Sequence, residues 1–276
     1  MSGYLSQVAA NLLIFVILAY AAYLPLATGQ LNLGISGFMA VGAYASAVIS
    51  AQLGFPLVLC VALGTLCAMV AGLFVAFSVS RMDGIYLSLA TFAFAEVVSA
   101  VLVNVNAIGG ADGYVVKGYI SLAPIAITAC VVVGIVAYLM STRIGLILTA
   151  VRNDERAAAI FGVSVPGTKL LAVVLGAGLA GLAGGLYGHH YSYIEAQNFN
   201  FFLSVNAVLF ALLGGIQTWC GPLLGASAIT LIPEMLRTSG EWRYIGLGAI
   251  MVVLMVWRPE GLLTRGVLHR MKLKVF

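Results

Sequence analysis

The chain has 276 residues, of which 62% are hydrophobic and 8% charged, and its mean hydropathy is +1.10. A soluble globular chain carries about 25% charged side chains, so there are too few polar groups here to clothe a soluble enzyme, a nucleic-acid binder or a peripheral amphipathic-helix protein. The apolar runs are continuous instead of alternating, which excludes a porin-type barrel, and the net charge of +4 is small enough that the place of each charge matters more than the sum.

A membrane span needs about 20 apolar residues, and with connections of about 10 the chain has room for roughly nine. No charged side chain occurs in residues 1–80. The first apolar run, 5–27, lacks a basic leader segment and is followed at once by a second, so it reads as a span. Pro25 and Gly29 separate it from the second run, 31–52, and Gly54 and Pro56 open a third that reaches residue 80. Arg81, Asp83 and Gly84 interrupt before a fourth run, 85–104; a polar stretch, 105–119, precedes a fifth, 120–141. The longest charged segment, 143–169, leads to a sixth run, 170–190, then a seventh, 203–216, an eighth, 222–236, and a ninth, 244–257, before a basic tail, 258–276. The expectation is an all-α polytopic membrane protein of about nine transmembrane helices, one transmembrane domain over residues 1–276.

Basic residues collect on the cytoplasmic side of membrane proteins. If the 143–169 loop and the tail are cytoplasmic, Arg81, Arg143, Arg152, Arg156, Lys169, Arg258, Arg265, Arg270, Lys272 and Lys274 lie inside, and Lys117, Arg237 and Arg243 outside. Nine spans then put the N-terminus outside; a broken or re-entrant second run would leave eight and put it inside.

Polar groups at membrane depth are costly and therefore informative. Gln30, Asn32 and Ser36 punctuate GQLNLGISGF; Glu96 lies near the middle of the fourth run with no Lys or Arg at comparable depth, and Asn206 lies early in the seventh. Gln30 and Asn32 either line a pathway or re-satisfy the backbone of a helix break. Glu96 is either a pathway or gate residue or a hydrogen-bonding staple between helices. Gly176, Ala180, Gly184 and Gly188, with Gly181 and Gly185, form small-residue rows that imply a tightly crossed helix pair. Cys60, Cys67, Cys130 and Cys220 have no metal-ligand spacing and read as packing residues. His189 and His190 are adjacent, so they face different sides of a helix at the outer end of the sixth span and set up no metal site.

Catalytic motifs fail. GVSVPGTK, Gly162 to Lys169, approaches a phosphate loop but reverses its last two residues, and Pro166 removes a backbone N–H that such a loop would use. No nucleophile elbow, zinc-protease motif or paired intramembrane aspartates occur. In the 143–169 loop, Asn153 or Asp154 caps a short helix and Gly162 ends it, a two-turn helix over 153–162 that is too short to stand alone and must dock on something.

RAAAIFG, Arg156 to Gly162, resembles the E-A-A-x-x-x-G segment of ABC-importer permeases, with Arg156 where Glu is usual. VRNDERAAAIFGV, GQLNLGISGFMAVGAY, DGIYLSLATFAFAEVV, FALLGGIQTWCGPLLGA and the closing WRPEGLL together resemble permeases of the branched-chain amino-acid ABC transporter family, and DGIYLSLATFAFAEVV and WRPEGLL resemble its M-type member. Many M-type chains have a further N-terminal span, and the resemblance implies a start after it here.

The resemblance implies the larger-permease, type II-like ABC importer fold, in the bacterial inner membrane. Its implied partners are a second homologous permease, two cytoplasmic ATPase subunits and a periplasmic solute-binding protein. It also implies that ATP and Mg sit on the ATPases, with no cofactor on this chain. Asn153, Asp154, Glu155, Arg156, Ala157, Ala158 and Gly162 would form the coupling helix, its small residues lying in an ATPase groove and its charges pairing with the groove walls. Solutes in the family include branched-chain amino acids, urea, short amides and aromatic acids. A self-contained secondary carrier or channel is the competing class; it has no use for such a helix.

Overall fold

The structure is a computed structural model that describes residues 2–80 and 82–235 and the isolated positions 248, 252, 256, 261 and 263. The ninth run and the basic tail therefore lie almost entirely outside the described residues. Among the described residues the ten helices are α1 (Ser2–Leu26), α2 (Ile35–Gln52), α3 (Leu57–Ser78), α4 (Ile85–Asn104), α5 (Leu122–Ser141), α6 (Arg143–Asn153), α7 (Glu155–Ile160), α8 (Val165–Tyr191), α9 (Phe201–Gly214) and α10 (Gly221–Met235). Single 3-10 turns and one antiparallel pair of two-residue strands, β1 (Tyr114–Val115) and β2 (Tyr193–Ile194), complete one end. Among the described residues seven helical segments are long and apolar enough to cross a membrane, against the expected nine. Part of the difference is α10, whose 15 described residues fall short of a full crossing.

α8 is the axis, and glycine decides what packs on it. Lipid chains are as apolar as leucine, so helices associate through close backbone approach. A Cβ on Gly176 would lie 2.6 Å from Ala21 O and 3.1 Å from Pro25 Cδ, which sets α1 on one side. A Cβ on Gly184 would collide with Met39 O, and one on Gly181 with Ala68 Cβ, which sets α2 and α3 on the others. The glycine rows thus serve three partner helices, α1, α2 and α3, rather than the single crossed pair expected.

α4 and α5 are held differently. In α5 the buried residues are Ile125, Ala129, Val132 and Val136, one stripe of helical period that meets α1. In α4 they are Leu87, Ser88, Thr91, Ala95 and Leu102, and the closest approach is Gly37 of α2, where a Cβ would stand 2.8 Å from Ala95 Cα. The opposite faces carry Leu89, Val97 and Val101 on α4 and Ile127, Val131 and Ile135 on α5, all exposed. Cys67 and Cys130 also lie on exposed faces, so of the four cysteines Cys60 alone is fully buried as packing.

The two ends of the bundle differ in charge. One end gathers the end of α1, the turn from α3 to α4, α6, α7 and the start of α8, with Arg143, Arg152, Arg156 and Lys169. The other gathers residues 53–56, 105–121 and 192–200, with Lys117 donating to Ala51 O at 3.1 Å. His189 is fully buried at this end, its Nδ1 3.3 Å from Gly118 O, and His190 Nδ1 lies 2.9 Å from Ile120 O.

Candidate functional site

The chain is broken between α1 and α2. Pro25 sits in the last turn of α1, Gly29 takes a φ of +81°, and residues 31–33 run without helical hydrogen bonds before α2 begins. An unsatisfied backbone group away from water costs several kcal/mol, so each must find a partner. Asn32 Oδ1 accepts from Gly34 N–H at 2.8 Å. Thr91 Oγ1 accepts from Leu33 N–H at 3.0 Å, and Ser88 Oγ donates to Leu31 O at 2.9 Å, both from α4. Ser36 N–H donates to Ser204 Oγ of α9 at 2.9 Å, and that hydroxyl in turn donates to Ser36 Oγ at 2.8 Å. Gln30 and Asn32 are buried, with Thr28 Oγ1 within 3.3 Å of Gln30 Oε1. The break is therefore a polar knot tied by α4 and α9. Ser88, Thr91 and Ser204 were not singled out from the sequence, where a hydroxyl in an apolar run carries no distinguishing mark.

Glu96 and Asn206 stand apart from this knot. Both are exposed, on α4 and α9, and neither has a hydrogen-bond or ion-pair partner among the described residues. A staple from Glu96 to another helix of this chain is absent among the described residues.

At the basic end the loop contains two helices where one was expected. α6 was not anticipated; it buries Gly145, Leu148 and Val151, a three-residue spacing that a closer reading of the loop could have found. Asp154 then breaks the chain with an extended backbone and caps α7, its Oδ1 accepting from Arg156 N–H at 2.9 Å and Ala157 N–H at 3.0 Å. Asn153 is the last residue of α6, so of the two expected caps Asp154 serves. Gly162, with a φ of +85°, ends the turn. α7 is six residues long, shorter than the two turns anticipated, because the chain leaves it at Phe161. α8 begins five residues earlier than expected, at Val165, since Pro166 in a first turn loses no helical hydrogen bond.

Side-chain directions differ from the expectation. Ala158 is 4% exposed and packed under α7 by its own chain, not offered to a groove. Gly162 has no neighbour within 4 Å of an added Cβ, so its glycine is required for backbone conformation and not for a close approach. Glu155 is already engaged: Lys169 Nζ lies 2.8 Å from its Oε1 and 2.9 Å from Asp83 Oδ1. What α7 and its C-cap do offer to solvent is Ile160, 85% exposed, and Phe161, 87% exposed, with exposed Arg156 on the same short helix. Arg152 anchors the end of α6 from the other direction, donating from Nη1 to Ile216 O at 3.0 Å and passing beside Gly29. The turn that receives it also accepts Tyr20 Oη–H at Trp219 O and Leu263 N–H at Gly214 O. Gly261 and Leu263 thus meet the GGIQTWCG segment at this end. Among the described residues no group of three His, Cys, Asp or Glu side chains could hold a metal ion.

Residues 4–255 match the family model described as branched-chain amino acid transport system / permease component. The chain is similar to the high-affinity branched-chain amino acid transport system permease protein LivM of Salmonella typhimurium, 29% identical over 272 residues, 86% of this chain and 64% of that protein. LivM of Escherichia coli K12 is 28% identical with the same coverage. LivH of Escherichia coli K12 is 27% identical over 142 residues, 50% of this chain and 46% of LivH. The chain thus spans 64% of the length of the LivM relatives it matches. No solved structure matches it. With a family model over almost its whole length and seven described helical segments long and apolar enough to cross a membrane, the chain belongs to the permease components of branched-chain amino acid transport systems and is a multi-pass inner-membrane protein.

Proposed function

We propose that this chain is the membrane subunit of an ATP-driven importer of branched-chain amino acids. It forms the pathway with a second, homologous permease, and α7 docks on one of two cytoplasmic ATPases that hold the ATP and Mg. A periplasmic solute-binding protein delivers the solute. The observation that carries the reading is the pair Ile160–Phe161, presented to solvent at the last residue of α7 and its C-cap. Phenylalanine and isoleucine bury well over 100 Å² each in a pocket, worth about 1.5–3 kcal/mol apiece, and such anchors dominate protein interfaces. The charges around them, Asp154, Glu155, Arg156 and Lys169, favour a water-facing protein partner over hydrocarbon. Arg156 beside the pair calls for an acidic rim on that pocket. Glu96 and Asn206, exposed at depth, belong on the side that faces the second permease or the solute, since a carboxylate turned to lipid is costly.

Affinity purification of the tagged chain from membranes of its native host tests this. Wild type brings down an ATPase identified by mass spectrometry, and the variant carrying Ile160→Ser with Phe161→Ala brings down less by at least about tenfold. An absent ATPase with wild type, or full recovery with the double variant, refutes the reading. A self-contained carrier would give the first of these results.

A further inference from the structure

We propose that Lys169 is a positioning residue that makes α7 and the start of α4 move as one, a role that rests on the docking reading above. One ammonium joins three elements distant in sequence: Glu155 at the start of α7, its own helix α8, and Asp83 in the turn before α4. The Lys169 side chain is 13% exposed, so its charge is held between the two carboxylates and not free in solvent; Asp83, at 80%, reaches in from outside. α8 cannot yield, because its glycine rows are locked against α1, α2 and α3. What the ammonium fixes is therefore the placing of α7 and α4 relative to that rod.

On the α4 side the route continues. Gly84 follows Asp83 with a φ of +59° and nothing within 4 Å of an added Cβ, so glycine is there for its backbone and leaves the start of α4 unobstructed. The first two turns of α4 then carry Ser88 and Thr91, which hold Leu31 O and Leu33 N–H of the broken segment. From Glu155 through Lys169, Asp83, Gly84, Ser88 and Thr91 to residues 31–33 every step is a covalent link or a hydrogen bond. A displacement of α7 by a docked partner reaches α4, and with it the face that bears Glu96, by this route.

The test uses the assembled transporter purified from native membranes, in a background without its four cysteines, with a reporter thiol from Ala93→Cys on the exposed face of α4. Maleimide labelling is timed with and without a non-hydrolysable ATP analogue. The analogue should change the labelling rate by at least about fivefold, the lower end of ordinary coupling between sites. Lys169→Met and Asp83→Asn should keep the ATPases bound and lose the response. Lys169→Arg should retain it, because a guanidinium can bridge two carboxylates. A response that persists in Lys169→Met and Asp83→Asn overturns the relay and leaves docking intact, as does a wild type with ATPases bound and no response. A wild type without ATPases overturns both. Should Lys169→Met fail to assemble, Asp83→Asn decides; failure of both makes the ion pairs structural and overturns the proposal.

Discussion

Replacing Gly176 by alanine tests whether the small-residue rows of α8 set the spacing of this bundle. The new Cβ would stand 2.6 Å from Ala21 O and 3.1 Å and 3.2 Å from Pro25 Cδ and Cγ. The first of these is backbone and cannot swing aside, so α1 and α8 must part by about 0.8 Å to reach ordinary contact. A gap of that size forfeits a quarter to a half of the dispersion energy along the seam, and overpacking of this kind costs about 1–3 kcal/mol. Alanine's better helix propensity returns about 1 kcal/mol, which leaves a net loss of about 0–2 kcal/mol. Gly134, in the middle of α5 with nothing within 4 Å of an added Cβ, is the control. There the propensity gain stands alone, and Gly134→Ala should stabilise by about 0.5–1 kcal/mol. The two variants, heated in detergent and followed by fluorescence-detected size exclusion, should fall on opposite sides of wild type. A Gly176→Ala chain as heat-resistant as Gly134→Ala would refute the seam.

Two other outcomes are expected. Glu96→Gln and Glu96→Ala should leave the heat resistance of the isolated chain unchanged within about 0.5 kcal/mol, because no described group pairs with Glu96, while leucine uptake by the assembled transporter falls; a loss of stability in the isolated chain would mean an internal staple instead. Single cysteines at Thr149 and Val115, in a background free of the four native ones, should divide in intact cells: Val115→Cys, 69% exposed at the end opposite the basic one, reacts with a membrane-impermeant thiol reagent and Thr149→Cys does not. Labelling of Thr149→Cys from outside would invert the orientation.

Much of the helix order was legible because glycine and proline act locally. Pro25 with Gly29, Gly54 with Pro56, and Gly84 each stand where a helix ends or begins, since φ is restricted or freed there whatever the rest of the chain does. Three things escaped for reasons of tertiary structure. The loop after α5 reads as polar because its charges dominate, while the buried stripe of α6 is supplied by one glycine and two aliphatic residues. The hydroxyls that tie the break come from helices some 55 to 170 positions away, and no local pattern couples Thr91 to Leu33 or Ser204 to Ser36. Ile160 and Phe161 continue an apolar run and carry no local mark of exposure; before the turn at Gly162 they face outward, with Ala158 beneath. The capping residue was narrowed to Asn153 or Asp154, and the choice fell to Asp154 because α6 consumes its neighbour.

The division between the two kinds of contact bears on how such a chain can change shape without coming apart. Stability resides in the glycine seams of α1, α2, α3 and α8, which are apolar, backbone to backbone and costly to open. The links from α7 to α4 are of another sort: a partly solvated ion triad and a few hydroxyl hydrogen bonds. Surface ion pairs contribute about 0–1 kcal/mol and a net hydrogen bond about 1 kcal/mol, so remaking them costs little beside the seams. α4 also buries one stripe against α2 and α9 and leaves its other face bare. A helix that buries one stripe, leaves its other face bare and is gripped at its first turns is obliged to follow its grip. Substitutions in the seams should therefore lower stability with coupling intact in the molecules that remain folded. Those in the triad should leave stability almost unchanged and break the response of α4.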